Sequence, residues 1–171
     1  MATASNDREL WDRLRRGDAR AFEGFYLEHA PRLRNFLRRH VGDPKVVEDI
    51  AQEAFLELWR HPNGFDPTRA RLKTYVFGIA VKRAADWWRH AGRNEGRVVR
   101  DPDNTESERS VLIGDALARL GPEPRSLLWL REVEGYSYAE LAEIFGVPVG
   151  TVKSRLFAAR EQLRAIWKGE E

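Results

Sequence analysis

The chain has 171 residues, 42% of them hydrophobic and 33% charged, and its 29 basic and 27 acidic side chains leave a net charge of only +2. That length holds one ordinary domain or two small ones. The absence of cysteine excludes a disulfide framework, a thiolate metal site and a cysteine nucleophile; the scattered His29, His40, His61 and His90 give no zinc-ligand spacing, and no apolar run approaches the roughly 18 residues of a membrane span.

The first seven residues lack the apolar core of a signal peptide, so a cytoplasmic location is expected. From there the pattern reads all-α, with Ala, Leu, Arg and Glu filling the periodic stretches. A first helix is predicted over about 7–16 and closed by Gly17. Asp18 is a good N-cap for a second, over about 19–40, which stops at Gly42. Asp43-Pro44 supplies a cap and a first-turn proline for a third, which runs to about His61. Pro62, Asn63, Gly64, Asp66 and Pro67 read as a loop, and a fourth helix covers about 71–91. Residues 92–109 have no period and are rich in Gly, Asp, Asn and Arg. Beyond them helices are expected at about 110–119, 123–133, 138–145 and 149–167. The expected architecture is therefore two small helical domains joined by a flexible linker: an N-terminal helical bundle over 1–92, a linker over 93–109 and a C-terminal helix-turn-helix domain over 110–171.

Charge follows this division. Residues 1–92 carry a net +4, residues 93–110 a net −1 and residues 111–171 a net −1. Nucleic-acid binding would then rely on local patches, not on bulk attraction. One patch lies at 69–90, where Arg69, Arg71, Lys73, Lys82, Arg83 and Arg89 face a single acid, Asp86, among Tyr75, Phe77, Trp87 and Trp88. Aromatic faces and cations together suit an unpaired strand, although several of these rings also fit ordinary core positions.

The third helix presents one apolar arc, Val47, Ile50, Ala51, Ala54, Phe55 and Leu58, as its core face. Leu56 and Trp59 fall on the other side with Asp49, Gln52 and Glu53. They form either a docking patch with apolar anchors and a polar rim, or a surface covered by the preceding helices.

Ser137 and Glu140 match a capping box, and Gly146 allows a tight turn between two helices. Leu141, Ala142 and Phe145 are expected inward on the first, with Val152, Leu156, Ala159 and Leu163 on one face of the second. This is helix-turn-helix spacing, and it points Thr151, Lys153, Ser154 and Arg155 at a major groove. A stand-alone duplex-binding regulator with an oligomerising N-terminal bundle fits the same helices. No Ser/His/Asp set, Gly-rich phosphate loop or ligand cluster occurs, so no catalytic residue, metal or cofactor is expected.

Three segments in this order resemble bacterial sigma factors of the extracytoplasmic-function group. Glu48-Asp49-Ile50-Ala51-Gln52-Glu53-Ala54-Phe55-Leu56-Glu57-Leu58-Trp59 is similar to the family's core-polymerase-binding helix. Phe65-Asp66-Pro67-Thr68-Arg69, continuing through Leu72–Ala80 to Asp86-Trp87-Trp88-Arg89, resembles its promoter-opening segment. Gly135–Ala142 with Gly150–Leu156 resembles its −35-reading helix-turn-helix.

The resemblance implies a non-enzymatic promoter-specificity subunit of RNA polymerase. It assigns Asp49, Gln52, Glu53, Leu56 and Trp59 to the coiled coil of the largest polymerase subunit. It assigns Arg69, Arg71, Lys73, Tyr75, Lys82, Arg83 and Arg89 to the −10 element, with residues 65–75 around a flipped base. Ser137, Tyr138, Thr151, Lys153, Ser154 and Arg155 are assigned to the −35 duplex. It further implies contact with the polymerase flap, an anti-sigma factor as a candidate partner, and a linker whose Asp101, Asp103, Glu106 and Glu108 mimic a strand in the polymerase channels. The chain departs from the family pattern at Tyr75, usually Trp, at Lys82, often Asn, and at Ala158, often Arg.

Overall fold

In the computed structural model, residues 2–91 and 115–169 are described, with side chains from Asn6 onward. Helices α1 (Ala2–Arg15), α2 (Ala19–Val41) and α3 (Pro44–Arg60) are followed by a 3₁₀ turn at Pro62–Gly64 and by α4 (Leu72–His90). Then come α5 (Pro122–Glu132), α6 (Tyr138–Phe145) and α7 (Val149–Lys168). Residues 115–118 are helical as well. The predicted linker, its four acids and the first half of the helix expected at 110–119 lie outside the described residues.

Three helix starts and the end of α2 follow from their caps. Asp18 accepts from the Ala21 N–H, Asp43 accepts from the Lys45 and Val46 N–H groups, and Gly42 closes α2 in the left-handed conformation at φ 81°. The capping box at α6 is complete: the Ser137 hydroxyl accepts from Glu140 N–H while the Glu140 carboxylate accepts from Ser137 N–H. Helix α4 differs. Arg71 stands at its N-cap without a side-chain bond, and the Leu72 N–H donates instead to Asp7 of α1 at 3.2 Å. Helix α1 itself starts five residues earlier than its periodicity predicts.

Helices α2, α3 and α4 enclose the N-terminal core. The predicted arc of α3 is buried throughout, against Phe25, Leu33, Phe36 and Leu37 of α2 and Val76, Phe77 and Ala80 of α4. Each large side chain removed from water here contributes about 1.5–3 kcal/mol before the cost of ordering the chain. On α6, Leu141 is buried as expected, facing the Val152, Leu156 and Ala159 row of α7. Ala142 and Phe145, however, are only half-buried, and Ile144, which the predicted inward set leaves out, is 1% exposed.

The reason is that α4 has two covered faces. Thr74, Phe77, Gly78 and Val81 recur at three- and four-residue spacing and meet α6 and its approach. A Cβ added at Gly78 would lie 3.7 Å from the Ile144 Cα, so the two helix backbones approach closely. Phe77 packs on Tyr136 with ring centroids 5.6 Å apart, and the Arg39 guanidinium of α2 stands 4.9 Å above the Trp129 ring of α5. Buried Arg125 ties residues 115–120 to α5 by donating to the carbonyls of Leu117, Ala118 and Leu120.

Candidate nucleic-acid and partner-binding surfaces

The first surface is the outer side of α3. Asp49 and Gln52 are exposed, while Leu56 is half-buried without joining the core. Trp59 is partly covered: Phe22 of α2 packs against it at 4.9 Å, and Phe22 in turn stacks on Tyr26. Glu53 lies 3.8 Å from both Arg60 and Arg83. Of the five residues assigned here, two are therefore fully presented, two half-presented, and Glu53 is engaged with cations of α3 and α4. Phe22 and Tyr26 widen the apolar part of the patch. The signal for them was present in the apolar spacing of α2, but only packing shows that they meet Trp59.

The second surface is the loop before α4 and the helix itself. Asp66 accepts from the Thr68 N–H at 2.8 Å and hydroxyl at 2.6 Å, bonds that shape the turn and hold its carboxyl below the usual range. Trp11 of α1 donates to the Pro62 carbonyl at 2.8 Å and packs edge-on against Phe65, which in turn packs against Tyr75. The Tyr75 hydroxyl comes so near Gly64 that a Cβ there would lie 2.8 Å from it, so a larger residue would push the end of the Tyr75 side chain aside. Burial, with the Glu57 charge behind it, pushes the Tyr75 phenol up and keeps it protonated.

The seven assigned −10 residues do not share one face. Tyr75, Lys82 and Arg89 recur every seven residues and so line one stripe, on which Lys82 and Arg89 are exposed and Tyr75 is half-buried against the core. Arg89 pairs with Asp86. Arg83 leans to Glu53, and Arg71 lies 3.6 Å from Asp7. Arg69 lies 3.3 Å from Glu143 of α6, and the Lys73 ammonium sits 4.9 Å from the Tyr136 ring centroid. The two tryptophans next to this stripe act as supports: Trp88 donates to the His40 carbonyl at 2.9 Å, and Trp87 packs edge-on against it.

The third surface is the N-terminal half of α7. Lys153, Ser154 and Arg155 are exposed and Thr151 half-exposed. Ser154 donates back to the Thr151 carbonyl, Arg155 pairs with Glu123, and the Lys153 ammonium stands 5.7 Å from the Tyr138 ring centroid. Arg131 covers that ring as well, and Ser137 is occupied as a cap. Phe157, 67% exposed, continues the Lys153–Ser154 face one turn on. The sequence reading missed it, although its i+4 spacing from Lys153 was visible. Among the described residues no cluster of three or more His, Asp or Glu could hold a metal, and no helix is long and apolar enough to cross a membrane.

Residues 25–94 match the family model for Sigma-70 region 2, and residues 110–163 match that for Sigma-70, region 4. The chain is 31% identical to the RNA polymerase sigma-H factor of Pseudomonas aeruginosa, across 95% of this chain and 94% of that one. It is 32% identical to the ECF RNA polymerase sigma-E factor of Haemophilus influenzae, across 95% and 96%. Among solved structures, CnrH in complex with the cytosolic domain of CnrY superposes with a TM-score of 0.75 at 25% identity, covering 96% of this chain and 99% of that one. The sigma factor RpoE of Bartonella quintana, in complex with the anti-sigma factor NepR, superposes at 0.71 with 26% identity over 88% and 98%. Sigma factors are DNA-binding regulators and not enzymes, in keeping with the expectation from the sequence. Two family matches in the right order and full-length similarity to several members lead to one conclusion: the chain belongs to the extracytoplasmic-function sigma factors and acts in transcription initiation.

Proposed function

We propose that this sigma factor docks on core RNA polymerase through α3, captures the non-template −10 strand with α4 and the loop before it, and reads the −35 duplex with the N-terminal half of α7. The observation that carries this reading is the division of labour on α3. Six apolar residues of that helix serve the core, yet Leu56 is held outside it between exposed Asp49 and Gln52. An apolar anchor with a polar rim is what a protein partner needs. Tyr75, Lys82 and Arg89 supply a ring and two cations for an unpaired strand, with Arg69, Arg71, Lys73 and Arg83 flanking them. Thr151, Lys153, Ser154, Arg155 and Phe157 suit phosphate, base-edge and thymine-methyl contacts, with Ser137 and Tyr138 beside them.

In this reading residues 1–92 and 110–171 act as two units connected through 93–109, and the partners are core polymerase, through its coiled coil and flap, and promoter DNA. The solved relatives CnrH and RpoE are bound to CnrY and NepR, which supports an inhibitory protein partner for this chain as well. The protein has no chemistry of its own: melting is driven by binding the open strand better than the closed duplex.

The test is gel filtration with core polymerase, followed by in vitro transcription from a randomised promoter library. Co-elution and a recovered two-part consensus are expected, with Leu56→Ala and Trp59→Ala weakening both. A chain that elutes apart from core, with transcription indifferent to both substitutions, would sink the reading in favour of a stand-alone regulator.

A further inference from the structure

Helix α1 carries none of the residues assigned to a partner, yet it holds both ends of the loop before α4. At the start of that loop, the Trp11 indole N–H donates to the Pro62 carbonyl at 2.8 Å, and the ring meets Phe65 edge-on with centroids 6.1 Å apart. Phe65 is 3% exposed and passes the contact on to Tyr75 at 5.6 Å. At the end of the loop, Asp7 accepts from the Leu72 N–H at 3.2 Å and stands 3.6 Å from the Arg71 guanidinium. Asp7 and Trp11 are one helical turn apart, so a single face of α1 makes both contacts. Buried Leu14 fixes the helix to the core, and the Arg15 guanidinium steadies the Trp11 ring from 4.7 Å. Between the two anchors Asp66, Thr68 and Arg69 stay exposed, in a turn closed by bonds to the Asp66 carboxylate and carbonyl.

We propose that α1 is a clamp on this loop: Trp11 and Asp7 are positioning residues that preset residues 62–72 for one base, and so set how sharply the −10 element is read. This rests on the reading that the loop and α4 capture the non-template strand. The physical case is preorganisation. A loop ordered only by its ligand gives up affinity to that ordering, and a loose pocket lets several bases settle equally well. A loop held at both ends in the free chain avoids both losses. The two anchors differ in chemistry. Trp11 combines a hydrogen bond with ring packing, whereas Asp7 supplies the N-cap bond that Arg71 does not. Either can therefore be removed while the other stays.

Trp11→Ala and Asp7→Ala each remove one anchor. Trp11→Phe keeps a ring against Phe65 but loses the N–H, and Asp7→Asn keeps an oxygen that can accept from Leu72. Val47→Ala, in the buried arc at the far end of α3 from the loop, is the control for lost stability alone. Each variant is assembled with core polymerase and given a randomised promoter library. Base preference at the −10 element should fall roughly five- to tenfold in both alanine variants, with −35 preference intact. Trp11→Phe and Asp7→Asn should keep most of the −10 preference, and Val47→Ala all of it. In the chain alone, the Arg69 and Ala70 amides should exchange with solvent roughly five- to tenfold faster in the two alanine variants, while the Ala80 amide keeps its wild-type rate.

A −10 preference that survives both alanine substitutions overturns the proposal, as does one lost equally in Val47→Ala. Unchanged exchange at Arg69 and Ala70 overturns it as well. If the wild-type protein with core polymerase recovers no −10 consensus while the two amides are still released in the variants, the promoter reading fails and the clamp on the loop stands.

Discussion

His40 lies at the C-terminal end of α2 with 3% of its surface exposed. Its Nδ1–H donates to the Phe36 carbonyl at 2.6 Å, and its ring packs edge-on to Trp129. Burial lowers its pKa to about 4; the Arg125 and Arg39 charges add to that, and the Phe36 carbonyl opposes it. The imidazole is therefore neutral in the folded chain, whereas in the unfolded chain it titrates near 6.5. Above that value both states are neutral and His40 has no effect on the pH dependence of stability. Between 6.5 and 4 the unfolded chain takes up a proton that the folded chain refuses, so stability declines as pH falls. The slope is about 1.4 kcal/mol per unit, for a total of about 3 kcal/mol. His29, also lowered by burial, acts in the same direction. Urea unfolding at several pH values should show this decline, and His40→Leu should flatten most of it. An unchanged slope in that variant would mean that the decline comes from elsewhere.

At the scale of the helix, Ser137→Ala removes one half of the capping box on a helix only eight residues long. About 1 kcal/mol of stability should be lost, read by denaturant unfolding, together with weaker duplex binding as α7 loses its support. This helix also shows how far the sequence could be read. The caps Asp18, Asp43 and Ser137 with Glu140 are local, so each start was visible. The core arc of α3 was visible because one broad stripe of a long helix is apolar. Helix α4 is apolar on two sides, and spacing alone does not say which side meets α3 and which meets α6. Helix α6 has barely two turns, so its wheel could not assign Ile144. The sites followed the same rule. The positions of Lys153 and Arg155 on α7 came directly from helical period, whereas the pairing of Arg69 with Glu143 joins residues far apart in the chain and left no local trace.

At the scale of the whole molecule, the two halves meet through α4 with α6 and through α2 with α5, and chain length does not hold them there. The path from Ala91 to Asp115 could span at most about 80 Å if fully extended, far more than either half is wide. The contact between the halves is therefore held by their surfaces and not by the length of chain between them. The N-terminal half has its own long-range dependence, in the bond from Leu72 N–H to Asp7. A helix whose first amide is capped by a carboxylate 65 residues upstream gains that cap only once the loop has closed, so the start of α4 should order late in folding. In hydrogen exchange, the Leu72 amide should open together with α1, ahead of the middle of α4, and Asp7→Ala should speed its exchange without affecting Ala80. If Leu72 and Ala80 exchange together in both proteins, the borrowed cap carries no such kinetic role. Otherwise α1 sets the timing at which the loop before α4 becomes rigid, and a fusion or tag placed at the N-terminus would alter that timing before it altered any contact with a partner.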